Sequence, residues 1–216
     1  SCGLLTGTSV DVDLPGESFR RLYAVFYYDR YGNVIQECST NLLGGFERDF
    51  YSYTFTGKVA SHRHVHTVPG KANCIYAETY SYDSLDRLVR VTHQQDNAPA
   101  ITLFENVYDS LGRLSACVYH GVSSAPVTYS YNIRGWLTGI RHPLFSQMLY
   151  YTDGPGRACY NGNISSMSWK SGNEAVERGY KFMYDGLSRL SDALYGEGPK
   201  LSVNINRFNE QVTGYD

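Results

Sequence analysis

Seven times along this chain a strand-like run closes on a tyrosine and gives way to turn-forming residues. The copies are Tyr28-Asp-Arg-Tyr-Gly-Asn-Val34, Tyr53-Thr-Phe-Thr-Gly-Lys-Val59, Tyr82-Asp-Ser-Leu-Asp-Arg-Leu88, Tyr108-Asp-Ser-Leu-Gly-Arg-Leu114, Tyr131-Asn-Ile-Arg-Gly-Trp-Leu137, Tyr160-Asn-Gly-Asn-Ile164 and Tyr184-Asp-Gly-Leu-Ser-Arg-Leu190. An eighth opens at Tyr215-Asp216, and successive starts lie 23 to 31 residues apart. Such a period means small units that cannot bury a face alone and must stack on their neighbours. It favours a structural or enclosing protein over an enzyme.

One copy predicts the local fold. Residues 102–107 alternate as a strand, and Asp109 opens a turn in which its carboxylate can accept from backbone N–H groups. Gly112 falls where a type I turn passes into a left-handed bulge residue, which glycine adopts without a Cβ clash. Leu114, Ala116 and Val118 then share one face of the return strand. Asn132 replaces the turn aspartate in the fifth copy. Asp86 replaces the glycine in the third and tolerates positive φ, whereas Ser188 predicts a distorted seventh turn. Val34, Val59, Leu88, Leu114, Leu137 and Leu190 are the expected buried anchors. Aromatic residues two apart in the intervening strands predict tyrosine ladders. Short helices are expected at Leu194–Gly198 and just after Gly139. The fold class is all-β: antiparallel hairpin repeats in a curved or spiral sheet, with residues 1–22 as an N-terminal segment and 23–216 as the array.

Bulk properties agree. Twenty tyrosines among 216 residues suit strands, and 21 glycines suit recurrent turns. A net charge of -2 gives no steering towards nucleic acid or an anionic membrane. No run of eighteen apolar residues predicts a membrane-spanning helix. Cys2, Cys38, Cys74, Cys117 and Cys159 lie too far apart for a zinc knuckle or redox pair. They read as small strand residues, with a disulfide between stacked repeats as the alternative.

Four stretches resemble the Rhs/YD-repeat family, in the branch common in gut Bacteroidetes: Tyr108–Leu114, Tyr131–Thr138, Tyr160–Trp169 and Arg207–Val212. The resemblance runs from Tyr23 to Asp216. It implies β-hairpins wound into a spiral sheet, which large members close into a shell around a C-terminal toxin or peptide. Relatives in animals act in adhesion. The chain lacks the proline- and glycine-rich motif that precedes the variable tip, and any recognisable toxin domain.

Candidate sites are few. His62, His64 and His66 share one strand face, the pattern of a zinc or nickel site. The outer rings lie about 13 Å apart along a strand, so one ion cannot take all three. Adjacent members could share an ion only with ligands from a neighbouring strand; otherwise they are polar face residues. Asp29, Asp83, Asp109 and Asp185 recur at turn starts and do not converge as catalytic carboxylates do. Asp153-Gly-Pro-Gly156 fits neither a phosphate loop nor a calcium loop. Cys117 and His120 face opposite sides of a strand and make no dyad. Trp136 and Trp169 either pack between repeats or stack on sugars. No catalytic, cofactor-binding or metal-ligating set is therefore expected, and no cofactor.

The function expected from the resemblance is a non-enzymatic scaffold or encapsulation segment of a secreted or surface-delivered Rhs-like polymorphic-toxin protein. Its partner would be an enclosed or adjacent polypeptide of the same parent. The alternative is a glycan-binding or adhesion module. An isolated segment is expected to self-associate through sheet edges, or to fold its terminal segment over the sheet as a cap.

Overall fold

The computed structural model describes residues 3–13 and 20–215. Its fold grows out of the turns. In the copy at Tyr108, Asp109 Oδ1 accepts from the Leu111 and Arg113 N–H groups, 2.9 Å each. The Asp109 N–H donates to the Arg113 carbonyl and the Gly112 N–H to the Asp109 carbonyl. Asp29, Asp83, Asn132 and Asp185 repeat this arrangement. Thr54 supplies a hydroxyl version, accepting from the Lys58 N–H. The fourth turn residue is left-handed throughout: Gly32 (φ 87), Gly57 (φ 82), Asp86 (φ 64), Gly112 (φ 81), Gly135 (φ 79) and Ser188 (φ 62). The seventh turn is therefore undistorted. Two N–H groups held by Asp185 offset the cost of one left-handed serine.

These turns join antiparallel hairpins, and no helix occurs among the described residues. The chain clusters into two compact units. The first (1–106 with 119–121) carries β1 (Gly7–Val12), β2 (Arg20–Tyr28), β3 (Val34–Thr40), β4 (Phe46–Tyr53), β5 (Val59–Thr67), β6 (Cys74–Tyr82), β7 (Leu88–Gln95) and most of β8 (Ile101–Tyr108). The second (107–118 with 122–216) carries β9 (Leu114–Tyr119), β10 (Val127–Tyr131), β11 (Leu137–His142), β12 (Phe145–Tyr150), β13 (Ser166–Ser171), β14 (Arg178–Tyr184), β15 (Leu190–Glu197) and β16 (Glu210–Gln211). Within each unit, sheet order is chain order. The segment 1–22 thus supplies β1 and the start of β2; Cys2 and Asp216 lie outside the described residues. Leu194–Gly198 and the stretch after Gly139 are not helical. β15 runs through Glu197 and β11 through His142, because both segments pair in the ladder.

The tyrosine that closes each strand reaches into the previous hairpin. Tyr53 donates its hydroxyl to the Val34 carbonyl (2.6 Å), Tyr82 to Val59 (2.8 Å), Tyr131 to Leu114 (2.9 Å) and Tyr151 to Leu137 (2.9 Å). Tyr28, Tyr184 and Tyr215 do the same to Leu5, Ile164 and Leu190. Val34, Val59, Leu114, Leu137 and Leu190 are each the first residue of a return strand. Beside the strand-closing tyrosines paired with Val34, Val59, Leu137 and Leu190 the register shifts by one. The turn cation completes the unit. Arg113 is bound to Asp109 and lies 4.7 Å from the Tyr131 ring centre; Lys58 covers Tyr82 and Arg189 covers Tyr215. Aspartate holds the turn, the cation covers the next tyrosine, and the aliphatic residue presents the carbonyl it needs. The expected anchors are only half-buried side chains; their recurrent role is in the backbone.

The sixth copy departs from its sequence reading. Tyr151, not Tyr160, makes the clip and packs 4.9 Å from the Trp136 ring. Residues 152–159 loop out, closed by the Cys159 N–H on the Tyr151 carbonyl (2.7 Å). Gly154 and Gly156 are forced there, since a Cβ would stand 2.3 Å from Tyr150 and 2.1 Å from the Ser165 carbonyl. Tyr160 is left 70% exposed.

Few side chains are buried among the described residues: Val65 and Val91 in the first unit, and Cys117, Tyr151, Ser165, Ser166, Ser168, Ala193, Tyr195, Glu197 and Leu201 in the second. Accessible surface totals 14176 Å², against about 10,000 Å² for a compact monomer of this mass. Within each unit most strand side chains stay partly exposed. The densest packing is in the second unit, where 198–209 folds back over β14 and β15. Leu201 (2% exposed) fills the space left by Gly179 and Gly196, and Phe208 meets Tyr195 at 5.1 Å.

Candidate functional site

The three histidines of β5 point to one face, as alternation requires. The adjoining strand β4 has the same alternation in Glu47 and Asp49, and the register places Glu47 opposite His66 and Asp49 opposite His64. The result is an interleaved row. His62 Nε2 and His64 Nδ1 lie 2.7 and 2.8 Å from Asp49 Oδ1. His64 Nε2 lies 3.1 Å from Glu47 Oε2, and His66 Nδ1 lies 2.6 Å from Glu47 Oε1. These side chains are 17% to 32% exposed.

Aromatic rings hold the imidazoles in place. His62 stacks on Tyr51 (4.7 Å, 7°) and His64 on Tyr76 (5.2 Å, 6°), with His93 of β7 beyond Tyr76 at 6.2 Å. The expected aromatic rows exist, but in the first unit they alternate tyrosine with histidine. His93 faces Glu78 at 3.6 Å, and Tyr80 donates to the same carboxylate. Burial first, and then that bond, push the Tyr80 hydroxyl up to about 12. Among the described residues, no group of three or more histidine, cysteine or acidic side chains is arranged to hold a metal ion. The carboxylate partners were present in the sequence as Glu47-Arg-Asp49; without a register, nothing tied them to the histidines.

The other candidates are dispersed. Asp29, Asp83, Asp109 and Asp185 each serve their own turn. Cys38, Cys74, Cys117 and Cys159 are free thiols. Asp153–Gly156 belongs to the loop after Tyr151. Trp136 packs on Tyr151 under the Arg134 guanidinium (5.1 Å). Trp169 packs on Tyr180 at 5.6 Å. With Arg178, Tyr195, Glu197, Arg207 and Phe208 it also lines a shallow hollow of about 410 Å³.

No helix is long and apolar enough to cross a membrane among the described residues. Neither a protein-family profile nor a curated protein matches the chain. Solved structures do. The chain superposes on the crystal structure of TcdB2-TccC3-Cdc42 with a TM-score of 0.66 at 12% identity, over 97% of this chain and 11% of that one. It superposes on TcdB2-TccC3-TEV with a TM-score of 0.50 at 11% identity, over 81% of this chain and 10% of that one. The chain therefore spans about a tenth of the length of the structures it resembles. What the likeness shows is the fold: an all-β sheet of antiparallel hairpin repeats.

Proposed function

We propose that this chain is a non-enzymatic wall segment of a larger, secreted or surface-delivered Rhs-like toxin protein. It acts by holding a sheet around or against another polypeptide of the same parent. The observation that carries this reading is the sheet of partly exposed side chains, whose hairpins are joined by one repeated clip. Such a layer is suited to being a wall, its turn aspartates each serving their own hairpin. The Rhs-type fold neighbours and the family resemblance point the same way. Limited proteolysis of the native parent, read by mass spectrometry, tests the proposal. Protection of a non-repeat region by the intact array, lost when the array is nicked, is expected. Equal cleavage of that region with and without the array defeats the idea.

The hollow beside Trp169 supports a second reading, glycan binding, because it joins aromatic rings to Arg178 and Arg207. Calorimetry on glycan-array hits should then lose its signal in Trp169→Ala. A blank array removes this reading and leaves the first untouched.

A further inference from the structure

The charges of the first unit are sorted by face. In β3 to β7 every carboxylate, Glu37, Glu47, Asp49 and Glu78, has one alternation, and every arginine, Arg48, Arg63 and Arg90, has the other. On the first face, histidines of β5 and β7 stand beside Glu47, Asp49 and Glu78. On the second, β2 to β7 carry no acid. Arg90 is paired with Glu105 of β8 at 2.6 Å, and Arg21 with Asp11 of β1 at 2.5 Å. The Asp96 carboxylate, just past β7, accepts from the Ile75 N–H. Arg48 and Arg63 are exposed, and among the described residues neither has an ion-pair partner.

Apolar rings surround these two cations. The Arg48 guanidinium lies 5.4 Å from the Phe46 ring centre, and that of Arg63 lies 5.8 Å from Phe50. A guanidinium stacked on a ring keeps its donor edge free for a carboxylate. The pairing puts Phe50 opposite Arg63 and Val65 opposite Arg48. The two arginines are therefore diagonal neighbours, about 7–8 Å apart at the backbone. Towards β2 the same face carries Tyr23, Val25 and Tyr27, and these three and Phe46 are all exposed.

We propose that this face is a docking surface for an acidic polypeptide segment. Its carboxylates pair with Arg48 and Arg63, and its apolar side chains lie on Phe46, Val25 and the β2 tyrosines. The inference rests on the wall reading for where such a segment comes from, and adds its chemistry. An extended chain returns to the same face every two residues, about 7 Å on, so acids two apart match the diagonal arginines. Nucleic acid fits less well. The face offers two free guanidiniums in a chain of net charge -2, with four carboxylates on the other side of the same strands, and that balance gives a polyanion no long-range attraction. A second copy fits less well too, because its Glu47 and Asp49 are already engaged by histidines.

Selection of phage-displayed random peptides on the full chain tests this. Enriched peptides should carry aspartate or glutamate two apart, with apolar residues beside them. Their synthetic versions should bind the double variant Arg48→Gln/Arg63→Gln about tenfold more weakly, the loss of two exposed ion pairs. Glu37→Gln, on the opposite face, should bind as wild type does. In the wild type, the Nε–H NMR signals of Arg48 and Arg63 should move on peptide addition, a measurement that needs no variant. No enrichment, enrichment without acids, or unmoved arginine signals overturn the proposal. So do acidic peptides that bind the double variant as tightly as wild type. An oligothymidylate strand that binds more tightly than the peptides, and is lost in the double variant, assigns the face to nucleic acid instead. Self-association abolished by the double variant in light scattering assigns it to a second copy. The proteolysis test of the wall can hold or fail without changing these results.

Discussion

At the scale of residues, the repeated tyrosine is a hydrogen-bond donor before it is an apolar anchor. Tyr131→Phe keeps the ring and removes only the bond to the Leu114 carbonyl. Losing a hydrogen bond to a half-buried carbonyl costs about 0.5–1.5 kcal/mol. Tyr160→Phe should cost almost nothing, since Tyr160 makes no clip. Denaturant midpoints distinguish the two, and equal shifts would sink the clip. The turn aspartates predict an acid limit. Arg113 and Arg189 N–H groups hold the Asp109 and Asp185 carboxyls below the usual carboxylate range; the side chains of Arg87 and Asn33 do so for Asp83 and Asp29. Their folded-state values are depressed, so their contribution is present above the ordinary carboxylate range and disappears as pH falls through the folded values. Asp109→Asn should preserve the turn, as Asn132 does, and flatten the acid limb of stability against pH. An unchanged limb would remove Asp109 from this account.

At the scale of elements, the left-handed turn position decides whether a hairpin closes in register. Gly112→Val should cost about 1–2 kcal/mol, because a β-branched side chain is strained at φ 81. Gly112→Asn should cost less, following Asp86. A valine variant with the wild-type denaturant midpoint would refute the turn assignment. The fold-back over β14 and β15 rests on Leu201 in the same way. Leu201→Ala should lose about 2–4 kcal/mol and raise hydrogen exchange in β15. If exchange there stays at the wild-type level, the fold-back is not what protects that strand.

At the scale of the molecule, no strand among the described residues pairs with the outer side of β1, which is exposed along almost its whole length. The Phe26 N–H donates to the Thr6 carbonyl, so alternation turns the backbone groups of Gly7, Ser9 and Asp11 away from β2. Unpaired strand groups recruit another strand. Light scattering over a concentration series should show self-association, and Ser9→Pro should weaken it by removing an outward N–H. A strict monomer at high concentration excludes pairing at this edge.

The local structure was legible because its causes are local. Tyrosine, aspartate, glycine, arginine and leucine at fixed offsets specify a turn through backbone preferences and side-chain acceptors that act within five residues. That made the hairpins and the all-β class readable. Three features required the tertiary structure. Tyr151 displaced Tyr160 because the choice depends on which ring reaches Trp136 and the Leu137 carbonyl. Leu194–Gly198 became strand because ladder partners override a weak local helix signal. Glu47 and Asp49 joined the histidines because strand register, set by turns on either side, decides which side chains stand opposite. Alternation tells which residues share a face; only pairing tells what that face meets.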